Sequence, residues 1–123
     1  MIVSNSAGTN DDKDYKHSIE IEKSLGVEVL RHQVKKPSCG DEIIKVFKDR
    51  GVASSEIASV GDRLLTDVLM GNMNGFYTIW TRQIITEKGD NPVAAKVRNI
   101  EHFIYKCISK LGVSPPSHPN RDK

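Results

Sequence analysis

The sequence of 123 residues has little of what marks several large classes of protein. Its two cysteines, Cys39 and Cys107, follow no metal or redox spacing, which argues against a disulfide scaffold and favours a reducing compartment. Lysine and arginine (18) exceed aspartate and glutamate (16) by only two, and no basic arm or zinc spacing occurs, so no nucleic-acid partner is predicted. No apolar run approaches the roughly 18 residues of a transmembrane helix. The N-terminus has the pattern of neither a signal nor a transit peptide.

Short apolar runs alternate along the chain with longer runs of helical periodicity. The predicted strands are Met1–Ser4, Val27–Leu30, Ile57–Val60 and Phe76–Trp80, and the predicted helices are Asp14–Gly26, Gly40–Arg50, Leu64–Met73 and Pro92–Leu111. This alternation predicts an α/β fold, a doubly wound parallel sheet with helices on both faces in three layers. We expect one domain, residues 1–112, followed by a disordered proline-rich tail, residues 113–123.

Two of the predicted strands lead into short polar loops. Ser4, Asn5 and Ser6 follow the first strand, where hydroxyl groups and backbone amides can surround an anion. The alternative is a solvated turn that caps the next helix. Lys35 and Lys36 follow the second strand, and either ammonium group suits a phosphate or a carboxylate. The alternative there is a solvated basic loop.

The third loop contains a pair of aspartates five residues apart. Asp62 stands at the carboxyl end of the third strand and Asp67 in the first turn of the next helix. Ligands bind at this edge of an open α/β sheet, and two carboxylates there suit Mg²⁺. Asp67 alone is equally explained as a helix N-terminal charge. Taken together, hydroxyls, lysine and paired aspartates are the set that phosphoryl transfer needs.

With these residues the chain resembles the haloacid dehalogenase superfamily of phosphatases. Ser4 matches its second motif, Lys36 or the neighbouring Lys35 its third, and Asp62 with Asp67 its fourth. Four blocks resemble one family more closely, the phosphatidylglycerophosphate phosphatases of mitochondria and plastids. These blocks are Ile2–Gly8, Val29–His32, Lys35–Pro37 and Gly61–Asp67.

The resemblance implies a Mg²⁺-dependent enzyme that hydrolyses phosphatidylglycerophosphate to phosphatidylglycerol, the cardiolipin precursor. It implies that Ser4 and its neighbours bind the phosphoryl group, that Lys36 neutralises it, and that Asp62 ligates Mg²⁺. Asp67 would ligate the metal or orient its water shell. It also implies a mitochondrial location, on the matrix side of the inner membrane.

The family's first motif, an Asp-x-Asp strand that carries the nucleophile, is not found ahead of the Ser4 block. The run Asp11–Asp14 follows that block and opens a helix, so it cannot replace a strand-borne nucleophile. We therefore expect a partial fold that lacks its first central strand and a truncated or inactive chain. The alternative is a non-enzymatic phosphate-binding or regulatory fragment that pairs with a full-length partner. A receiver-like or nucleotide-binding domain is disfavoured, because no G-x-G-x-x-G or G-x-x-x-x-G-K-[ST] loop occurs.

The last predicted helix combines an apolar stripe with basic residues. The stripe includes Phe103 and Ile104, and the basic residues that flank it are Lys96, Arg98, Lys106 and Lys110. Such a helix can rest on an anionic membrane, which predicts peripheral contact with the bilayer that would hold the substrate. The alternative is that the stripe packs against the sheet.

Overall fold

The structure, a computed structural model, describes residues 1–82 and 92–121. Within these ranges the elements in chain order are α1 (Lys16–Leu25), α2 (Gly40–Asp49), β1 (Ala58–Gly61), α3 (Leu69–Met73), β2 (Tyr77–Trp80) and α4 (Pro92–Lys110). Two short 3₁₀ turns lie at Lys13–Tyr15 and Ser54–Glu56, and a π-helical turn at Leu64–Val68 leads into α3. The described part of the chain is thus an α/β fragment with a small parallel sheet and four helices.

The predicted first and second strands meet in one parallel bridge, between Ile2 and Val29. The Ile2 amide donates to the Glu28 carbonyl at 2.8 Å, and the Leu30 amide donates to the Ile2 carbonyl at 2.9 Å. The predicted third and fourth strands form a regular parallel pair in which Ala58 lies opposite Tyr77. The first pair is therefore shorter than predicted, since a single bridge takes the place of two four-residue strands.

A cavity of about 180 Å³ separates the two pairs, with Met1 and Val3 on one side and Ile57–Val60 on the other. The Ile57 and Gly61 carbonyls accept hydrogen bonds from the Tyr77 and Thr81 amides of the β2 segment. Because backbone groups alternate in direction along a strand, those of Ala58 and Val60 face the cavity. The described residues do not show a continuous doubly wound sheet.

One face of the β1–β2 pair is covered by helices. The buried core comprises Leu30, Cys39, Ile43, Ile57, Met70 and Phe76. Helix α3 packs tightly on the sheet because Gly71 has no side chain, and a Cβ atom there would lie 2.6 Å from Thr78 Oγ1. On the opposite face Val60 and Ile79 are 60% and 40% exposed. The predicted three layers are therefore seen only in part.

The observed limits of α4 agree with the prediction more closely than those of α1. Helix α1 begins at Lys16 rather than Asp14, because Asp14 and Tyr15 have left-handed backbone angles, φ of 56° and 54°. Helix α4 runs from Pro92 to Lys110, close to the prediction. None of the helices in residues 1–82 and 92–121 has the length and apolar content needed to cross a bilayer.

Residues beyond α4 run back towards the sheet. The His118 ring packs against the Tyr77 ring with their centroids 5.3 Å apart. The Asn120 side-chain amide donates to the Ser55 carbonyl at 3.3 Å. The predicted domain limit at residue 112 and the disorder of the tail stay predictions.

Candidate phosphate-binding site

Lys36 joins the two strand pairs at their carboxyl ends. Its Nζ donates to the Val3 carbonyl at 2.8 Å and to Asp67 Oδ1 at 2.7 Å. The Lys36 and Asp67 side chains are only 14% and 11% exposed, so this ion pair is largely shielded from water. Both side chains line the cavity, and the ammonium group has one further hydrogen beyond these two contacts.

The loop after the first strand contacts the same lysine. Asn5 Oδ1 accepts a hydrogen bond from the Lys36 amide at 2.7 Å, and Asn5 Nδ2 donates to the Lys36 carbonyl at 3.3 Å. Ser4 Oγ accepts hydrogen bonds from the amides of Ser6 and Ala7, both at 3.2 Å. The loop is thus folded around the Ser4 hydroxyl beside Lys36, which brings Ser4, Asn5, Ser6 and Lys36 together.

Asp67 is buried at the start of the helical segment that follows β1. Its Oδ2 accepts a hydrogen bond from the Arg63 amide at 3.2 Å. The carboxylate fits there because residue 61 is glycine, since a Cβ atom on Gly61 would lie 2.4 Å from the Asp67 side chain. Gly61 therefore fixes where the Asp67 carboxylate can stand.

Asp62 lies at the same strand end, and its carboxylate is directed to a different cation. Its Oδ2 forms an ion pair with Arg98 Nη1 of α4 at 2.9 Å. The Asp62 carbonyl accepts a hydrogen bond from Trp80 Nε1 at 3.1 Å. Each of the two aspartates thus has its charge balanced by a neighbouring side chain.

The ligand types at this edge fit Mg²⁺. Magnesium in phosphate sites commonly takes one or two carboxylates and completes its shell with water and phosphate oxygens. Asp62 and Asp67 supply two carboxylates at one strand end, although no group of three or more histidine, cysteine or acidic residues suited to a metal occurs among residues 1–82 and 92–121. A metal here would depend on the bound phosphate for part of its shell.

Comparison with known proteins places this arrangement in a family. The sequence model of the mitochondrial PGP phosphatase family matches residues 1–86, which contain every residue of the site except Arg98. The chain belongs to this family. The mitochondrial phosphatidylglycerophosphatase of Saccharomyces cerevisiae is 41% identical over 106 residues, which cover 85% of this chain and 57% of the yeast protein.

A plant relative is also similar in sequence to this chain. The chloroplastic/mitochondrial phosphatidylglycerophosphate phosphatase 1 of Arabidopsis thaliana is 38% identical over 120 residues, covering 95% of this chain and 33% of that protein. The chain thus spans roughly a third to three-fifths of the length of these relatives. No solved structure matches it.

Of the two lysines predicted for this PGP phosphatase family member, the structure brings only Lys36 to the site. Lys35 forms an ion pair with Asp11 at the surface, where the two side chains are 50% and 60% exposed. The Asp11–Asp14 run is also separate from the site. Asp12 is buried, and its carboxylate accepts hydrogen bonds from the amides of Gly8, His17 and Ser18.

Burial by itself raises the pKa of Asp12, but these hydrogen bonds outweigh it and hold the pKa well below its ordinary value. Asp12 therefore serves as an ionised anchor for the start of α1.

His32 has a structural position that the sequence did not reveal. The residue is buried, with Nε2 2.9 Å from the Ser4 carbonyl and Nδ1 2.7 Å from the Val34 carbonyl. Each ring nitrogen thus faces a backbone carbonyl, one from each of the two loops. His32 therefore lies between the Ser4 loop and the segment that leads into Lys35 and Lys36.

Two residues of α4 complete the site from a distance and were not predicted. Glu101 is fully buried and accepts hydrogen bonds from Arg63 Nε at 3.3 Å and the Leu65 amide at 3.0 Å. Arg98, assigned by the sequence to a membrane-facing edge, instead pairs with Asp62. The sequence feature that could have indicated this role of α4 is Glu101, a single acidic residue inside the apolar stripe of the helix.

The predicted pH dependence of stability centres on Glu22, which joins α1 to the bridge segment. Both carboxylate oxygens accept from Arg31, and Glu22 Oε1 also accepts from the Val29 amide, all at 2.8 Å. The hydrogen bonds from Arg31 and then Val29 lower the pKa of Glu22 from 4.5 to about 2.

Because the folded-state pKa lies below the unfolded one, the stabilisation from Glu22 is fully present above pH 4.5 and is lost as the pH falls towards 2. We expect Glu22→Gln to lower the urea concentration at the unfolding midpoint at neutral pH. Between pH 4.5 and 2 this midpoint should decrease less in the variant than in the unchanged protein. Urea unfolding followed by circular dichroism across this range measures both effects. An unchanged acid slope in the variant would show that Glu22 is not the group responsible.

Proposed function

We propose that this chain carries the phosphate-binding and metal-binding part of a Mg²⁺-dependent phosphatidylglycerophosphate phosphatase. The observation that carries the proposal is the Lys36 ammonium, which lies between Val3 and Asp67 and lines the cavity. Membership of the PGP phosphatase family supports the reaction class. The names of the yeast and plant relatives support phosphatidylglycerophosphate as the substrate and mitochondria as the location, with the matrix side of the inner membrane as the finer proposal.

Within this proposal each side chain has a separate task. Lys36 places a positive charge against the phosphoryl oxygens, which stabilises the negative charge that they carry during transfer. Ser4 and the Ser6 hydroxyl donate to the same group, while Asn5 keeps Lys36 in place. Asp62 and Asp67 would hold Mg²⁺, which supplies charge neutralisation and substrate orientation when bound.

We further propose that the 123 residues alone do not turn over substrate. The only Asp-x-Asp sequence in the chain is Asp12–Asp14, and Asp12 is bonded to the start of α1. By resemblance to the haloacid dehalogenase phosphatases, the nucleophile would stand on a strand between the two observed pairs. The cavity beside Ala58 and Val60 lies where such a strand would run.

The test compares the chain with a longer form in which an Asp-x-Asp strand precedes Ile2. With phosphatidylglycerophosphate in mixed micelles and Mg²⁺, phosphate release is expected from the longer form and not from the chain alone. Asp62→Asn in the longer form is expected to abolish release, while Asp11→Asn, whose carboxylate pairs with Lys35 at the surface, should leave it unchanged. Full activity of the Asp62→Asn variant would refute the assignment.

The cavity also favours a second candidate function, a regulatory fragment that borrows a strand from a full-length partner. Open backbone edges on both sides of a gap are the usual acceptor for an added strand. Size-exclusion chromatography of the chain with an equimolar full-length partner distinguishes the two. A stable complex with the full-length partner that does not form with a partner lacking the Asp-x-Asp strand would support the regulatory candidate.

Peripheral contact with an anionic membrane is the last part of the proposal. Val93, Ile100 and Phe103 of α4, and Leu111 directly after it, are between 59% and 79% exposed, whereas Ile104 is half-buried. Exposed Lys96, Lys106 and Lys110 on the same helix favour anionic lipid. Flotation with phosphatidylglycerol vesicles, but not with neutral ones, is expected, and equal behaviour with both would exclude this contact.

A further inference from the structure

An apolar groove of about 440 Å³ lies between the helical segment that follows β1 and helix α4. Leu65, Val68 and Leu69 form one wall, Ile104 and Ile108 form the other, and Trp80 lies at one end. Leu65, Leu69 and Ile108 are each 38–44% exposed, so a continuous apolar surface remains in contact with solvent. Natural ligand pockets have volumes of roughly 300–1,000 Å³ and predominantly apolar walls.

The groove adjoins the candidate site through Trp80, although it shares no lining residue with the cavity beside Lys36 and Asp67. Leu65 follows Asp62 by three residues and precedes Asp67 by two. Trp80, at the end of the groove, donates through Nε1 to the Asp62 carbonyl. The Arg82 guanidinium lies 4.7 Å from the Trp80 ring centroid, which places a further cation at this end. Trp80 therefore joins the apolar lining of the groove to the charged residues Asp62 and Arg82.

We propose that this groove holds one acyl chain of the phospholipid whose phosphate lies at Lys36 and Asp67. The inference rests on the proposed function and extends it from the head group to the lipid chain. An amphiphile matches both ends of the surface, because its phosphate meets cations and its hydrocarbon meets apolar walls. Each buried methylene group strengthens binding about fourfold, so even a partly inserted chain adds substantially to affinity.

The walls of the groove favour a hydrocarbon over an extended peptide. Two of the segments that line the groove are helical, and their backbone groups bond within their own turns. The remaining lining includes Pro115 and Pro116, which have no backbone N–H to offer. An extended peptide would bring amide and carbonyl groups that need partners, whereas an acyl chain has none. A second copy of the chain is the other occupant that the experiment must separate.

Trp80 provides the measurement, because it is the only tryptophan in the chain and contributes to the groove. We expect spin-labelled stearic acid to quench Trp80 fluorescence saturably at one molecule per protein, below its micelle concentration. Because Trp80 lies at the end nearest the phosphate site, a label near the carboxyl end should quench more than one near the methyl end. Equal, non-saturating quenching by the two labels would overturn the proposal.

Two leucine variants provide a matched comparison. Leu69→Gln, inside the groove, is expected to weaken stearic acid binding about tenfold, and Ile108→Gln is a second variant on the opposite wall. Leu25→Gln, at a position on α1 that is 61% exposed and outside the groove, should leave binding unchanged. Equal loss in the Leu25 and groove variants would overturn the proposal.

A third variant separates this inference from the function on which it rests. In the presence of Mg²⁺, which Asp67 would help to hold, Asp67→Asn is expected to weaken binding of glycerol 3-phosphate while spin-labelled stearic acid still quenches Trp80. Normal glycerol 3-phosphate binding without any quenching would overturn the groove proposal alone. Self-association in sedimentation that shields Trp80 and is not reversed by stearic acid would assign the groove to a second copy and also overturn it.

Discussion

Replacing Lys36 with methionine is expected to lower the free energy of unfolding by about 3 kcal/mol, the lower end of the cost of breaking a buried ion pair. The variant removes the ammonium group that contacts both Val3 and Asp67, and it leaves the Asp67 carboxylate buried without its cation. The residual exposure of 11–14% keeps the expected effect at that lower end. Because small domains are stable by only about 5–15 kcal/mol, this is a large fraction of the total.

The adjacent lysine is the control for this prediction. Lys35→Met removes a pair with Asp11 whose side chains are half or more exposed, and such surface pairs contribute about 0–1 kcal/mol. Urea unfolding of both variants gives the two free energies. Binding of glycerol 3-phosphate, followed by calorimetry, should fall at least tenfold in Lys36→Met and stay unchanged in Lys35→Met. Equal effects at the two positions would contradict the assignment of Lys36.

The Gly61→Ala variant is expected to displace Asp67 with the smallest possible chemical change. The added Cβ would lie 2.4 Å from both Cβ and Cγ of Asp67, so the helical turn that carries the aspartate has to move. Overpacking of this kind costs about 2 kcal/mol. It should also move Asp67 away from the position in which it would hold Mg²⁺, and so weaken phosphate binding about tenfold in the presence of Mg²⁺.

Gly51→Ala is the matched control for the added methyl group. Gly51 has a φ of +76° with open space around its Cβ position, so the variant carries only the backbone strain of about 1 kcal/mol. It lies after α2 and should not change phosphate binding. Calorimetry with glycerol 3-phosphate compares the two variants. Undiminished binding by Gly61→Ala would mean that the position of Asp67 does not matter for the phosphate.

Local patterns in the sequence were enough to predict several elements. The periodicity and the proline at its start predicted α4 to within one residue, and short apolar runs predicted β1 and β2 closely. The first two strands were predicted to be longer than the single bridge between Ile2 and Val29. Strand length depends on neighbours along both edges, and a local pattern does not report which edges are paired.

The site was predictable in its residue types but not in its contacts. Both lysines fit the sequence pattern. Lys36 rather than Lys35 lies at the site because its backbone amide is hydrogen-bonded to Asn5, which is 31 residues away in the chain. The ion pair between Arg98 and Asp62 spans 36 residues. Such pairs depend on how helices pack over the sheet, so no motif in either segment reveals them.

The most direct test of the phosphate site is a ¹H–¹⁵N NMR titration of the protein with glycerol 3-phosphate in the presence of Mg²⁺. Saturable shifts are expected at the amides of residues 4–7, at Lys36 and at residues 62–67, and they should disappear in Lys36→Met. Shifts restricted to Lys35 and other surface lysines, or no saturable shifts, would contradict the account.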